Sequence, residues 1–434
     1  MMKTAQVRRG VLAPRVGAGA LILAALTGGW LWMGGKQKPT QPLKTLGLGR
    51  QPTGIALDAR AGRAAVINTG DGSVSFVDTR DGSVVMTVHL RHGLPLAVAM
   101  DGRTGHTFVA GAGPGGASLN PNASPVSILD TRRGRVLRSV SIPGVVRGIA
   151  ADEGAGRVFV LTDVAFAKPA RGGVTILDAA RGAVLRTVAV GANPVGIAVD
   201  RRAGRVLVVN QGGAFLAGVG TASVLDARSG AVLRTVTVGP RPMAVAVDEG
   251  TGRAFVTSSG GSVRVLDTRR ARLAAIITLD PGPDAVGVDT VAHRVFVTTL
   301  GTNRVAMLDA RTGALLRTIP VGIRPMVVAV DERTHRAFIG NSVSGTATVL
   351  DSATGAVVDT VAVGQDPVDA VVDERAGRAF IVNMSATATR PTFWDRVGCR
   401  VEMLMRGRCS WTYAAQGPGS VSMLDAQRYT SAIP

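Results

Sequence analysis

The segment "VGIRPMVVAVDERTHRAFIGN" (Val321 to Asn341) returns as "VGQDPVDAVVDERAGRAFIVN" (Val363 to Asn383) and as "VGANPVGIAVDRRAGRVLVVN" (Val190 to Asn210). Self-similarity at a fixed period constrains a chain more than composition does, because each unit must find its burial against the next. An Asp closes the first apolar run of every unit: Asp58, Asp101, Asp152, Asp200, Asp248, Asp289, Asp331 and Asp373, at steps of 43, 51, 48, 48, 41, 42 and 42 residues. A second series closes a later run: Asp78, Asp130, Asp178, Asp226, Asp267, Asp309, Asp351 and Asp425. Each unit therefore reads as four short strands, A like "PVGIAVD", B like "GRAFVTS", C like "SVRVLD" and D like "AVLRTVTVG". A four-stranded antiparallel unit cannot bury both faces alone. Packed face to face about an axis, such units make a β-propeller.

Two features predict closure into a ring. Small and larger residues alternate in strand A (Gly196, Ile197, Ala198, Val199), as suits innermost strands crowded near an axis. The last unit ends at "SVSMLDAQRYTSAIP" without a good fourth strand, while "KTLGLGRQP" (Lys44 to Pro52) aligns with "DTVAVGQDP" (Asp359 to Pro367). The N-terminal segment is thus expected to complete the last sheet and remove its open edge. The expectation is an all-β, eight-bladed propeller of four-stranded antiparallel blades over 43–434, with an insertion at 384–419 in the last blade.

The units resemble the YVTN-type β-propeller repeats of exported proteins, over Leu43 to about Asp425. The tetrad stands as Ala65-Val66-Ile67-Asn68, Leu207-Val208-Val209-Asn210 and Phe380-Ile381-Val382-Asn383, and Asn gives way to Thr162, Ser258 and Thr299 in other units. The resemblance implies the fold, with seven blades more usual than the eight counted here. It leaves function open, since related propellers include lactone hydrolases, haem- or quinone-bearing redox domains, DNA binders and adhesion modules.

The first residues differ from the rest. Lys3, Arg8, Arg9 and Arg15 precede "VGAGALILAALTGGWLWMGG" (Val16 to Gly35), an uncharged stretch long enough for one membrane-spanning helix. The basic flank predicts a cytoplasmic N-terminus, so 1–35 reads as a basic tip and signal-anchor, 36–42 as a linker, and the propeller as periplasmic or extracellular. A cleavable signal peptide is the rival reading. The formal charge of +19 is carried by Arg, with only five Lys. It points either to a polyanionic partner or to arginine spread over any solvated surface.

In an antiparallel blade the D–A and B–C connections share one face, and the A–B and C–D turns the other. The A–B and C–D turns are short and uniform, and their aspartates read as turn punctuation, with Gly at the left-handed positions. His106, His293 and His335 fall in A–B turns and are taken to occupy positions that hold Gly elsewhere. Arginines recur throughout that face, either to meet anionic headgroups or to pair locally with the turn aspartates. The insertions all fall in B–C connections, which marks the opposite face for binding. There the residue before each loop proline varies. It is Gln51, Leu94, Asn193, Arg241, Arg324 or Asp366, and Gln51, Asn193, Arg241, Arg324 and Asp366, with Asp284 and Asp369 nearby, are predicted to rim a channel of mixed charge, Arg241 and Arg324 suiting a carboxylate or phosphate. The longest insertion carries Phe393, Trp394, Trp411 and Tyr413, predicted either to dock a partner or form a lid or else to cap the top of the last two blades, and Cys399 and Cys409, expected to form a disulfide in an oxidising compartment.

No CxxCH, HExxH, GxSxG or P-loop motif occurs. The expectation is a membrane-tethered, extracytoplasmic propeller that binds a protein or small anionic ligand without catalysis, cofactor or metal. An enzyme of lactonase or redox-propeller type is the first alternative, a metal held by scattered aspartates staying open. Nucleic-acid binding is the second, disfavoured by the scarcity of stacking aromatics outside the last insertion.

Overall fold

The computed structural model describes residues 39–91, 93–113, 124–164, 171–213, 218–385 and 418–429. Among these residues, thirty-two strands pair into eight four-stranded antiparallel sheets. Blade 1, for example, is built from Pro52–Asp58, Arg63–Asn68, Ser73–Asp78 and Val84–His89 as strands A to D. Each A strand packs on the A strand of the next blade, and that of blade 8 (Gln365–Asp373) on that of blade 1. The circle is closed.

Closure uses the N-terminal strand, as the aligned segments predict. Lys44–Arg50 pairs antiparallel with Pro418–Asp425, opposing Lys44 to Met423, Leu46 to Val421 and Gly47 to Ser420. Leu46 and Leu48 enter an apolar cluster shared by blades 8 and 1, with Ile55, Val66, Phe380 and Val421. Just upstream, Thr40 bridges in parallel to Val361 at the outer strand of blade 7, and its hydroxyl donates to Asp359 Oδ2 at 2.8 Å.

The core lies between sheets. Phe108, Phe159, Phe255, Phe296, Phe338 and Phe380 occupy the same place in strand B, and all are fully buried. In blade 1 that place is Ala65, and Phe76 stands directly across from it on strand C, so the ring crosses to the partner strand and the volume is kept. Tetrad asparagines are fully buried and tie B to C: Asn68 Nδ2 donates to Ser73 and Ser75, and Asn341 Nδ2 to Thr346 and Thr348. Glycine of the incoming crossover is required beside each. A Cβ at Gly364 would lie 2.6 Å from the Asn383 Cβ.

The turn aspartates act as structural punctuation. Asp58 Oδ1 accepts the N–H groups of Arg60 and Ala61 at 3.0 and 2.9 Å, and the pattern repeats at Asp331 and Asp373. The arginine opening strand B pairs with the aspartate closing strand C in six blades: Arg63 with Asp78, Arg157 with Asp178, Arg205 with Asp226, Arg294 with Asp309, Arg336 with Asp351 and Arg378 with Asp425. Much of the basic character of this face is therefore neutralised locally. His293 and His335 do stand in the left-handed position held elsewhere by Gly, with φ of 52° and 53°, and their Nδ1 atoms lie 3.0 and 3.2 Å from Asp248 and Asp289 of the preceding blades. His106 does not. It follows Gly105 and opposes Asp130, so it replaces the strand-B arginine.

Candidate channel-mouth site

The mouth on the D–A side is shaped by one backbone device. In six blades the residue before the proline of strand A is left-handed: Gln51 (φ 49°), Asn193 (52°), Arg241 (50°), Gly282 (92°), Arg324 (59°) and Asp366 (56°). In blades 2 and 3 strand A is one residue longer, and the left-handed residue comes earlier as Gly93 or Gly144. Leu94 consequently sits in the strand, outside this set. The conformation has a purpose: it turns the carbonyl toward strand B, where Gln51, Asn193, Arg241 and Arg324 accept the N–H groups of Thr69, Gln211, Ser259 and Ser342. A β-bulge follows in every A strand, as between Pro52 and Gly54 or Pro367 and Asp369. Bulges re-aim side chains beside sites.

Glycine adopts this conformation freely, whereas other residues bear about 1–2 kcal/mol of strain. Five blades bear it, each with a different polar side chain or a different neighbour for it. Asn193 Nδ2 donates to Gln211 Oε1 at 2.8 Å, and Gln211 Nε2 to the Pro242 carbonyl of the next blade at 3.1 Å. Ser342 Oγ donates to Asp366 Oδ1 at 2.8 Å. Burial lowers the pKa of the Arg324 guanidinium, against the opposing pull of the Asp366 and Asp284 carboxylates. In blade 3, Arg147 and Asp163 form an ion pair at 3.3 Å. The structure thus brings Arg324, Asp366 and Asp284 together, places Asn193 in a separate amide pair, and leaves Gln51 and Arg241 half-buried on the same rim.

Asp369 is distinct. It stands in strand A of blade 8 where the other blades carry Gly54, Ala97, Gly148, Gly196, Ala244, Ala285 and Val327. Its Oδ2 accepts the Ile55 N–H of blade 1 at 3.0 Å across the ring seam, and its Oδ1 the Ala370 N–H at 2.9 Å. Burial, against those two hydrogen bonds, pushes the carboxyl pKa up to about 6. The sequence marked the residue only as loop variety.

Phe393, Trp394, Trp411, Tyr413, Cys399 and Cys409 lie outside the described residues, as does the apolar stretch at 16–35. Among the described residues, no helix is long and apolar enough to cross a membrane, and no group of His, Cys, Asp and Glu is placed to hold a metal.

No protein-family model matches the chain, and no curated protein does. Among solved structures it is similar to Kuenenia stuttgartiensis hydrazine synthase, at 16% identity and a TM-score of 0.54, covering 74% of this chain and 99% of that one. It is also similar to the computationally designed Ika8 protein, at 14% identity and a TM-score of 0.61, covering 80% and 96%. Likeness at these identities concerns the fold.

Proposed function

We propose that this protein is a membrane-tethered, extracytoplasmic β-propeller of the YVTN-repeat type that binds a small anionic ligand or a protein partner at its D–A mouth. One observation carries the reading. Five blades hold Gln51, Asn193, Arg241, Arg324 and Asp366 in a left-handed conformation that glycine would take without strain. Strain retained at a channel mouth is a mark of selection for the side chain. The tether is supported by the uncharged Val16 to Gly35 stretch and its basic flank, and is tested by a topology reporter fused after Pro42.

Binding is tested by replacing Arg241 and Arg324 with glycine. The backbone keeps its conformation, so Arg241→Gly should be as stable as the parent or gain about 1 kcal/mol, Arg324→Gly loses in addition the attraction of Asp366 and Asp284, and capture of an envelope partner or anionic ligand falls in both. Equal capture by parent and variants refutes the reading. An acid–base hydrolase is the second reading, favoured by the Asp369 carboxyl poised near neutrality in the channel wall. It requires that Asp369→Asn abolish a measurable ester or lactone hydrolysis.

A further inference from the structure

The opposite mouth, ringed by the A–B turns, is built unevenly. The residue after the strand-A aspartate runs Glu249, Thr290, Glu332 and Glu374 through blades 5 to 8. Two of these carboxylates lock onto the preceding blade: Glu332 Oε1 accepts the Thr290 N–H at 3.0 Å, and Glu374 Oε1 the Glu332 N–H at 2.9 Å. Through blades 1 to 4 the same position runs Ala59, Gly102, Glu153 and Arg201.

With almost no side chain at Ala59 and Gly102, this sector opens into a cleft of about 510 Å3 lined by Arg60, Arg103, Glu153, Gly154 and Arg201. Gly102 cannot be larger, since a Cβ there would sit 2.7 Å from Asp58 Oδ1. Its N–H donates to Glu153 Oε1 at 3.0 Å, which leaves Oε2 to reach past blade 2 and meet Arg60 Nη2 at 3.3 Å. Arg103 lies over the Gly156 turn, where a Cβ would come within 2.6 Å of Nη2. Neither Arg103 nor Arg201 has a carboxylate partner among the described residues, in contrast to the six paired strand-B arginines.

We infer that this cleft is a binding site for a compact phosphate anion, separate from the D–A mouth. Arg60 is engaged by Glu153, which leaves the guanidiniums of Arg103 and Arg201, neither with a carboxylate partner among the described residues, to take the anion, while the strand-A aspartates beneath them are held by turn N–H groups. Guanidinium forks bind phosphate oxygens bidentately. The cleft is open to solvent, and its lining offers no aromatic ring to stack a base. Recognition is therefore of the phosphate, whether free or on a lipid headgroup.

The test is calorimetric titration of the full-length chain in neutral detergent at low ionic strength. Pyrophosphate serves as the free probe, short-chain phosphatidic acid as the headgroup probe, and short-chain phosphatidylcholine as the neutral control. Arg103→Gln and Arg201→Gln should each weaken binding about tenfold, one charge-assisted hydrogen bond's worth. Glu153→Gln, which keeps the acceptor for Gly102 and removes the repelling charge, should tighten it. Arg311→Gln, an exposed C–D turn arginine on the same face, should change nothing. Whichever of pyrophosphate and phosphatidic acid binds more tightly names the source. The inference is overturned if neither binds, or if Arg311→Gln weakens binding as much as Arg103→Gln, which would make the effect one of diffuse charge.

Discussion

Replacing Asp369 by Asn isolates the energetics of the ring seam. The wild-type carboxyl has its pKa raised to about 6 by burial, against about 3.9 in an unfolded chain. The folded state therefore holds a proton that the unfolded state has released between those pH values, and stability from this group falls as pH rises through them. The difference between those values corresponds to about 3 kcal/mol, present in full below pH ~4 and lost above pH ~6. Asn does not titrate. It offers one acceptor where the carboxylate serves both Ile55 and Ala370, a disadvantage of about 1 kcal/mol that counts where the wild type is ionised. The variant should match or slightly trail the wild type at pH 4, and exceed it by about 2 kcal/mol at pH 7.5. Urea unfolding of both proteins across that range measures the difference. Turn carboxylates such as Asp78, held well below the usual range by the Arg80 guanidinium against opposing desolvation, lose stability on acidification in both proteins and cancel. A difference that stays flat with pH, or that moves in favour of the wild type as pH rises, would refute burial as the cause.

Other consequences are as direct. Removing residues 39–50 takes away Leu46 and Leu48, worth roughly 1.5–3 kcal/mol each when buried, and bares the Pro418–Asp425 edge; the truncated protein should self-associate in analytical ultracentrifugation. Gly364→Ala should cost about 1–3 kcal/mol by overpacking Asn383, whereas Gly47→Ala, with nothing within 4 Å of its Cβ, should stay within about 0.5 kcal/mol of the parent in the same denaturation assay. Arg336→Met leaves the buried Asp351 unpaired and should cost about 3–5 kcal/mol.

The architecture was legible because the repeat writes it locally. The turn aspartates accept hydrogen bonds from residues two or three places on, so turn chemistry and strand ends can be read without knowing the neighbours. The clasp was legible for the same reason: Lys44–Arg50 carries the strand-D pattern of the other units. The site was less so. Proline biases the residue before it away from helical conformations, and nothing in Gln51 or Arg241 announces a left-handed backbone. Asp369 reads as one more variable polar residue because the N–H that it receives comes from Ile55, 314 positions away. His106 was misplaced by a single step, since Gly105 and the strand-B position adjoin and only the pairing with Asp130 separates them. The phosphate cleft is invisible in any one turn. It follows from Ala59, Gly102, Glu153 and Arg201 lying side by side around an axis.

A repeat of this kind separates structural from functional positions more cleanly than an irregular fold does. Around the D–A mouth the carbonyl of the left-handed residue makes the structural bond to strand B, and that bond is indifferent to the side chain, so Gln, Asn, Arg and Asp can each stand on the same backbone. The A–B mouth obeys a different rule. There the Glu332 and Glu374 side chains themselves tie one blade to the next, and a change of chemistry in that sector would loosen the ring. Blades 1 to 4 escape the constraint in part: Gly102 and Ala59 have no side chain long enough to lock, while Glu153 ties blade 3 to blade 2 and also reaches Arg60. Freedom to vary is thus wider at the D–A rim than at the A–B rim, where Arg103 and Arg201, without carboxylate partners among the described residues, flank a cleft beside the Glu153 tie.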